Sequence, residues 1–405
     1  MKKAYPNLTT YIVSILLCFT TPIFAETETL GDAISGGQAH LNFRYRYEFV
    51  DQDGFSNDAK ASTLKTQLNY KTLWYSGWQL FVEIDDVSYL GDDNFNNTRN
   101  GKTTYPVVAD PDGTDFNQFY LSYKKNDTQF TIGRRKINRD NQRFIGGVGW
   151  RQNEQTYDVF GIENTSFKNV IFYYDYINKV NRIFGPDTGA AARTFDSNTH
   201  LLNAKFIMGK SGTFVGYAYF MDFDNANALS NRTIGVRYNN TYSFERFKIP
   251  VQVEYANQND FGDNASNYSA NYYLIDGGIK TDSFSLNLSY EVLEGSNTPG
   301  ERFQTPLATL HKFQGWADKF LSTPTTGIAD LYLTFGTSLG KSKLTVSLHD
   351  LSAEKGSTDY GREWNIALSH PINEHYGVLL KWASYDADAL SSDTSKLWLM
   401  FTAKF

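Results

Sequence analysis

Leu397-Trp398-Leu399-Met400-Phe401-Thr402-Ala403-Lys404-Phe405 closes the chain, and counting back from Phe405 an apolar residue falls at every second position: Ala403, Phe401, Leu399 and Leu397. A period of two puts these side chains on one face of a strand; a helix would need a period of 3.6. The same alternation opens the chain after residue 38. Leu41, Phe43, Tyr45, Tyr47 and Phe49 alternate there with Asn42, Arg44, Arg46 and Glu48. One face suits hydrocarbon and the other carries charge. The pattern recurs at Trp78-Leu80-Val82-Ile84, Ile249-Val251-Val253-Tyr255, Phe284-Leu286-Leu288-Tyr290-Val292 and Leu344-Val346-Leu348.

These segments number about 18, with starts near residues 38, 61, 78, 116, 128, 155, 169, 199, 213, 231, 249, 269, 284, 327, 342, 361, 376 and 395. Short connections such as Ser76-Gly77, Lys125-Asn126-Asp127 and Gly340-Lys341-Ser342 alternate with long ones at 86–115, 136–154, 181–198, 258–268 and 294–326. That alternation is the signature of a transmembrane antiparallel β-barrel, with tight turns at the periplasmic rim and loops outside. A barrel of this size is expected to enclose a water-filled lumen. An aromatic last residue resembles the signal that the barrel-assembly machinery reads on outer-membrane barrels. The fold class read here is all-β, a transmembrane antiparallel barrel of about 18 strands in the outer membrane of a Gram-negative bacterium.

Bulk properties agree. Aromatic residues make up 16% of the chain, with 27 Tyr and 30 Phe, yet mean hydropathy is −0.45. Each strand is only half apolar, so a barrel reads this way. Lys2-Lys3, the apolar run Tyr11–Phe19 and Ala25 before Glu26-Thr27-Glu28 read as a secretory signal peptide over residues 1–25. Cleavage removes Cys18, the single cysteine, which suits an oxidising compartment. Residues 26–405 read as one barrel domain, since no linker or composition shift divides them. The mature charge of about −8 argues against a nucleic-acid partner.

Two long connections carry most of the chemistry. GRRKINRDNQRFIGGVGWRQNEQTYD, Gly133 to Asp158, gathers Arg134, Arg135, Lys136, Arg139, Arg143 and Arg151 around Phe144, Trp150 and the Gly146-Gly147 pair. Apolar anchors predict that this loop folds inward and presents guanidinium forks to carboxylates in the lumen. An external loop whose arginines meet lipopolysaccharide phosphates is the competing reading. HKFQGWADKFLSTPTTGIADLYL, His311 to Leu333, is the second, with a short helix or turn expected at Trp316–Phe320 in the barrel mouth. These two stretches resemble the signature loops of the alginate export family of outer-membrane proteins. The resemblance implies an 18-stranded barrel in a Gram-negative bacterium and passive passage of an anionic exopolysaccharide through an arginine-rich constriction. It leaves the substrate open among saccharides and small solutes.

Alternation also projects Arg44, Arg46, Lys65, Arg237 and Lys381 inward, together with Lys71, Lys205, Glu48, Glu83, Asp85, Glu254 and Glu291. The candidate lining is therefore Arg44, Arg46, Lys65, Arg134, Arg135, Arg139, Arg143, Arg151, Arg237 and Lys381. Rings of charge select permeant ions, although cross-strand pairing that stiffens the wall uses the same residues. Tyr47, Trp74, Trp78 and Trp382 read as interface girdle. Enzyme signals are poor. Gly336-Thr337-Ser338-Leu339-Gly340 matches G-x-S-x-G, but it ends a strand at a short turn and lacks the strand-to-helix elbow that motif requires. The six histidines form no i, i+4 metal pair. The acidic run Asp110–Asp115 reads as a solvated loop, short of a complete Ca²⁺ loop. No cofactor and no metal are expected. The function expected is a monomeric, non-enzymatic passive channel for an anionic oligo- or polysaccharide or a similar small solute. An outer-membrane hydrolase and a closed structural or adhesion barrel are the alternatives.

Overall fold

The computed structural model describes residues 26–405 apart from 188, 190 and 191; the signal-peptide reading of residues 1–25 lies outside the described residues. A short helix α1 (Leu30–Ser35), capped by the Thr29 hydroxyl on the Asp32 amide at 3.1 Å, precedes the sheet. Eighteen strands follow among the described residues: β1 (Gln38–Gln52), β2 (Ala59–Lys71), β3 (Trp78–Asn94), β4 (Gly113–Lys125), β5 (Thr128–Arg135), β6 (Thr156–Asn164), β7 (Val170–Asn181), β8 (Thr194–Ile207), β9 (Thr213–Met221), β10 (Asn231–Ser243), β11 (Lys248–Asp260), β12 (Ser269–Lys280), β13 (Phe284–Leu293), β14 (Ile328–Leu339), β15 (Ser342–Ser352), β16 (Asp359–Pro371), β17 (Tyr376–Ala387) and β18 (Thr394–Lys404).

Each strand pairs antiparallel with its neighbour in sequence, and β18 returns to β1 from Asn42↔Lys404 to Gln52↔Thr394. Closure satisfies every strand edge, which a hydrocarbon surround demands. Phe405 finishes the seam: its amide donates to the Leu41 carbonyl at 2.9 Å, and its ring stacks on His375 at 5.6 Å. The alternation holds in three dimensions. In β11 Val253 and Tyr255 are exposed outward, while Glu254, Ala256 and Gln258 are buried inward. The outward apolar belt and closed backbone make this an integral outer-membrane protein. No helix among the described residues is long and apolar enough to cross a membrane.

Several strands run further outward than the hydrophobic alternation shows. β8 starts at Thr194, ahead of position 199, because its outward residues Asp196 and Asn198 stand above the apolar belt and both faces there are polar. β3 extends through Gly91-Asp92-Asp93-Asn94 for the same reason. Trp74 departs from the girdle reading: it is buried and pairs with the N-terminal Glu26-Thr27 segment. Trp78 does face outward, against the Tyr123 ring at 4.5 Å.

The largest departure is inside. A water-filled lumen was expected, yet the barrel holds a packed cluster. Ile137, Phe144 and Ile145 join Phe303, Leu307, Ala317 and Phe320 against inward wall residues such as Tyr217, Tyr272 and Trp398. Two long loops supply those apolar groups, and burying them offsets the entropy of ordering long connections.

Candidate functional site: two loops inside the barrel

Loop 136–155 and loop 294–327 meet in the lumen. Ile145 bridges Leu307 in parallel, the Gly146 amide donates to the Leu307 carbonyl at 2.9 Å, and the Thr309 amide donates to the Gln142 carbonyl at 3.0 Å. Phe144 is the apolar anchor, 5.4 Å from Tyr217, 5.3 Å from Tyr272 and 5.9 Å from Phe303 by ring centroids. The second loop is tied to the wall through Glu363, whose carboxylate accepts from the Trp316 and Ala317 amides. Gly315, at φ +84°, lets that carboxylate lie against the backbone where a Cβ would collide with it. Residues 314–320 form turns; the 3₁₀ segment of this loop is Leu310–Lys312.

Trp150 and Lys381 join both loops to β17 and β18. The Lys381 ammonium lies 3.7 Å from the Trp316 ring centroid and 4.1 Å from that of Trp150, and donates to His311 Nε2 at 2.6 Å. His311 Nδ1 meets Asp318 Oδ1 at 2.7 Å. Burial and the Lys381 charge push the His311 pKa down to about 3, so the imidazole is neutral, with Nδ1 donating to Asp318. Burial works against the Asp318 carboxylate, but Lys396, His311 and Arg151 together hold its pKa well below the usual range.

Most of the sequence-predicted cations are matched by acids. Arg46 and Arg151 converge on Asp110: Arg46 bonds it directly, and Arg151 reaches it at 3.6 Å, Glu48 at 3.2 Å and Asp318 at 2.9 Å. Asp110 is fully buried and also accepts from the Gln152 amide at 2.7 Å. This corrects the solvated reading of the Asp110–Asp115 run at Asp110, where arginines arrive from β1 and loop 136–155; Asp112 is exposed as that reading expected. Arg143 bonds Glu291 at 2.9 Å and stacks on Phe313. Arg135 and Arg139 share Asp175; Arg134, expected in the lumen, instead lies on the outward face of β5 opposite Phe119, where it takes Asp158 at 2.8 Å. Lys65 pairs with Asp85 at 2.6 Å and with Glu154 at 3.4 Å. Burial opposes ionisation of Glu154, but Lys65 and Lys136 win and bring its pKa to about 2. Glu83, Asp85 and Glu154 approach within 4.8 Å of one another, but those two lysines sit among them.

Other cations have no carboxylate within salt-bridge distance among the described residues. Arg44 donates to Gln152 Oε1 at 2.9 Å and to the Gly149 carbonyl at 2.7 Å. Arg237 donates only to Gln252 Oε1, at 2.6 Å, leaving its Nε and Nη1 buried without a partner. Arg182 donates to the Ala192 carbonyl at 2.8 Å and stacks on Phe195. Lys319 donates to Thr394 Oγ1 at 2.7 Å. Burial lowers the Arg182 pKa to about 10; burial and then Lys396 lower that of Lys319 to about 8.

Two cavities flank the buried Arg46–Asp110–Arg151 plate. The outer one, of about 570 Å³, has walls that include Phe55, Val107, Ile183, Phe184, Leu310 and Leu321; Arg182 and Lys319 line it, as do Arg151 and Lys396 with their partner Asp318. The inner one, about 320 Å³, holds Arg44, Lys65, Glu154 and Lys404. Sequence reading missed Arg182 and Lys319, which stand singly in connections whose cation density is low. It also gave Trp398 no role, although this residue packs against Trp150 and His311. Gly336–Gly340 runs along β14 into the turn before β15.

The alginate export family model matches residues 38–169, β1 through the turn before β7. That span includes the Gly133–Asp158 stretch and excludes His311–Leu333. No curated protein matches. Among solved structures, Acinetobacter baumannii OccAB2 superposes with a TM-score of 0.71 at 15% identity, covering 93% of this chain and 100% of that one. Pseudomonas aeruginosa OpdO gives 0.71 at 10% identity over 93% and 98%. P. aeruginosa OpdK, crystallised with vanillate, gives 0.69 at 11% identity over 91% and 98%. At such identities the likeness is one of fold: this chain is similar to these proteins in being a closed barrel of the same architecture.

Proposed function

We propose that the protein is a passive, non-enzymatic outer-membrane channel for small anionic solutes. The observation that carries this reading is the outer cavity: apolar walls, about 570 Å³, and two cations, Arg182 and Lys319, with no carboxylate partner among the described residues. Apolar walls with a few placed charges suit a small molecule with a hydrophobic body and one carboxylate. The vanillate bound in the OpdK crystals is a molecule of that kind. An anionic saccharide is the second reading, favoured by the alginate export match over residues 38–169. The packed lumen argues against a polymer strand, which would have to displace both inward loops, whereas a single sugar acid or aromatic acid fits the cavity. In this reading Arg44, on the inner side of the Arg46–Asp110–Arg151 plate, receives the anion next.

Purified protein in planar bilayers, with salt gradients and added benzoate or uronate oligomers, tests this. Stable conductance steps with an anion-selective reversal potential, and benzoate carried faster than a uronate hexamer, are expected. No conductance at all overturns the channel reading, and cation selectivity in the parent protein overturns the anionic solute; faster hexamer flux selects the saccharide instead.

A further inference from the structure

The outer face of β7–β12 carries an arrangement that the lumen does not explain. Register places Tyr176, His200, Phe220, Arg232 and Asn259 in one outward row. The row beneath it, nearer the periplasmic turn at 209–212, reads Tyr174, Leu202, Ala218, Ile234 and Asn257. Below that the wall is concave. A groove of about 420 Å³, almost wholly apolar, is floored by Ala204, Gly216 and Ala218 between Phe172, Tyr174 and Leu202. A Cβ built on Gly216 would meet nothing within 4 Å, so the floor is open space toward the membrane.

Polar groups crowd the upper edge. Arg232 is exposed and makes no hydrogen bond or ion pair among the described residues. His200 Nδ1 meets the Tyr174 hydroxyl at 2.9 Å. Beside Arg232 an amide ladder runs across the outward face. Asn259 donates to Asn257 at 2.7 Å, and Asn257 donates to Asn271 at 3.0 Å and to Ser269 at 3.1 Å. Phe220, packed with Phe261 at 5.7 Å, marks the outer aromatic girdle, while Phe206 with Phe214 marks the periplasmic one. An unpaired guanidinium and a row of amides at the outer girdle face the headgroup layer, where polar partners lie. The cation wants phosphate, to which it can offer a two-pronged fork. The amides want hydroxyls, and the groove wants an acyl chain.

We propose that this wall binds one phosphorylated, acylated amino sugar of the lipid A class, with phosphate on Arg232, sugar against the Asn257–Asn259 ladder and one acyl chain over Gly216. The site rests on the outer-membrane placement; its partner is the outer leaflet, because the cation lies at the outer girdle. Nothing in it faces the lumen, so it is separate from the channel.

The test uses the full barrel in mild detergent, exchanged with bis-phosphorylated lipid A or with phosphatidylglycerol, and counts retained lipid by native mass spectrometry. One lipid A per barrel is expected for the parent. Arg232→Gln and Gly216→Leu should each lower retention roughly tenfold, the loss of one charge-assisted contact or of the acyl groove. Arg362→Gln, outward at the same rim but paired with Asp350 at 3.0 Å, should leave it unchanged. Heat-modifiable mobility and unaltered conductance certify folding, and either variant alone decides if the other misfolds. Equal retention by parent and Arg232→Gln, equal retention of lipid A and phosphatidylglycerol, or a dimer that buries this face without lipid overturns the proposal. Recovery in the outer-membrane fraction is scored separately, so a failure of placement is distinguishable from a failure of the site.

Discussion

The plate between the two cavities and the mouth of the outer cavity use the same residue types to opposite ends. In the plate, Arg46 and Arg151 are enclosed by Glu48, Asp110 and Asp318, so each guanidinium is matched before any solute arrives. At the mouth, Arg182 and Lys319 rest on a carbonyl, a hydroxyl and aromatic faces, so their charge is still available. Counting arginines therefore says little about where an anion is held. What matters is which of them the fold has already neutralised, because an ion meets the residual field.

The largest effect expected from this contrast is at Arg151. Arg151→Met would leave three buried carboxylates facing one another with one fewer cation to balance them. Removing one partner of a buried ionic network costs about 3–5 kcal/mol. A lowered thermal unfolding midpoint and noisy single-channel current are the expected outcome. A variant as stable and quiet as the parent would show that the plate is not what holds loop 136–155. Phe144→Ala probes the opposite side of the same loop, where rings and not charges anchor it. A loss of about 3 kcal/mol is expected there, read as protease nicking within 136–155 while the barrel stays intact.

The mouth behaves differently. Arg182→Gln combined with Lys319→Gln removes two cations and leaves no buried acid stranded, so stability should change by less than about 1 kcal/mol. The reversal potential should nevertheless shift toward cations, and benzoate flux should fall several-fold. Comparable changes at Lys168 and Lys341, in periplasmic turns, should do much less. If Arg135→Gln and Arg139→Gln, whose guanidiniums share Asp175, shift selectivity more than the mouth pair, matching by acids is the wrong criterion.

The barrel was legible in the sequence to within a few residues, because a lipid-facing strand must alternate and a closed sheet must bring its ends together. Starts at 38, 78, 128, 213, 231, 269, 284, 342 and 376 are those observed. The starts misplaced by most, at 116 and 199, lie where strands rise above the belt and alternation has no hydrocarbon to answer to. The inward loops were legible through Phe144 and Trp150, whose bulk is wasted in solvent. Their partners were not. Asp110 and Asp318 are distant in sequence from Arg151, and Glu363 from Trp316, and no periodicity links a strand carboxylate to a loop amide. Arg182 and Lys319 become notable only by what they lack, a neighbouring acid, which is a property of the fold.

Lys319 offers the finest test of the contrast, through pH. Burial and the neighbouring Lys396 lower its pKa to about 8, below the ordinary lysine value, so it is charged at pH 7 and largely neutral at pH 9. Arg182, lowered only to about 10, stays charged across that window. Anion preference should therefore weaken as pH rises from 7 to 9, without disappearing. In Lys319→Gln the same titration should be flat, since Arg182 stays charged throughout. A parent whose reversal potential does not move between pH 7 and 9 would place Lys319 off the path of the ions. A slope that persists in Lys319→Gln would assign the titration to another group and leave Arg182 as the mouth's working cation.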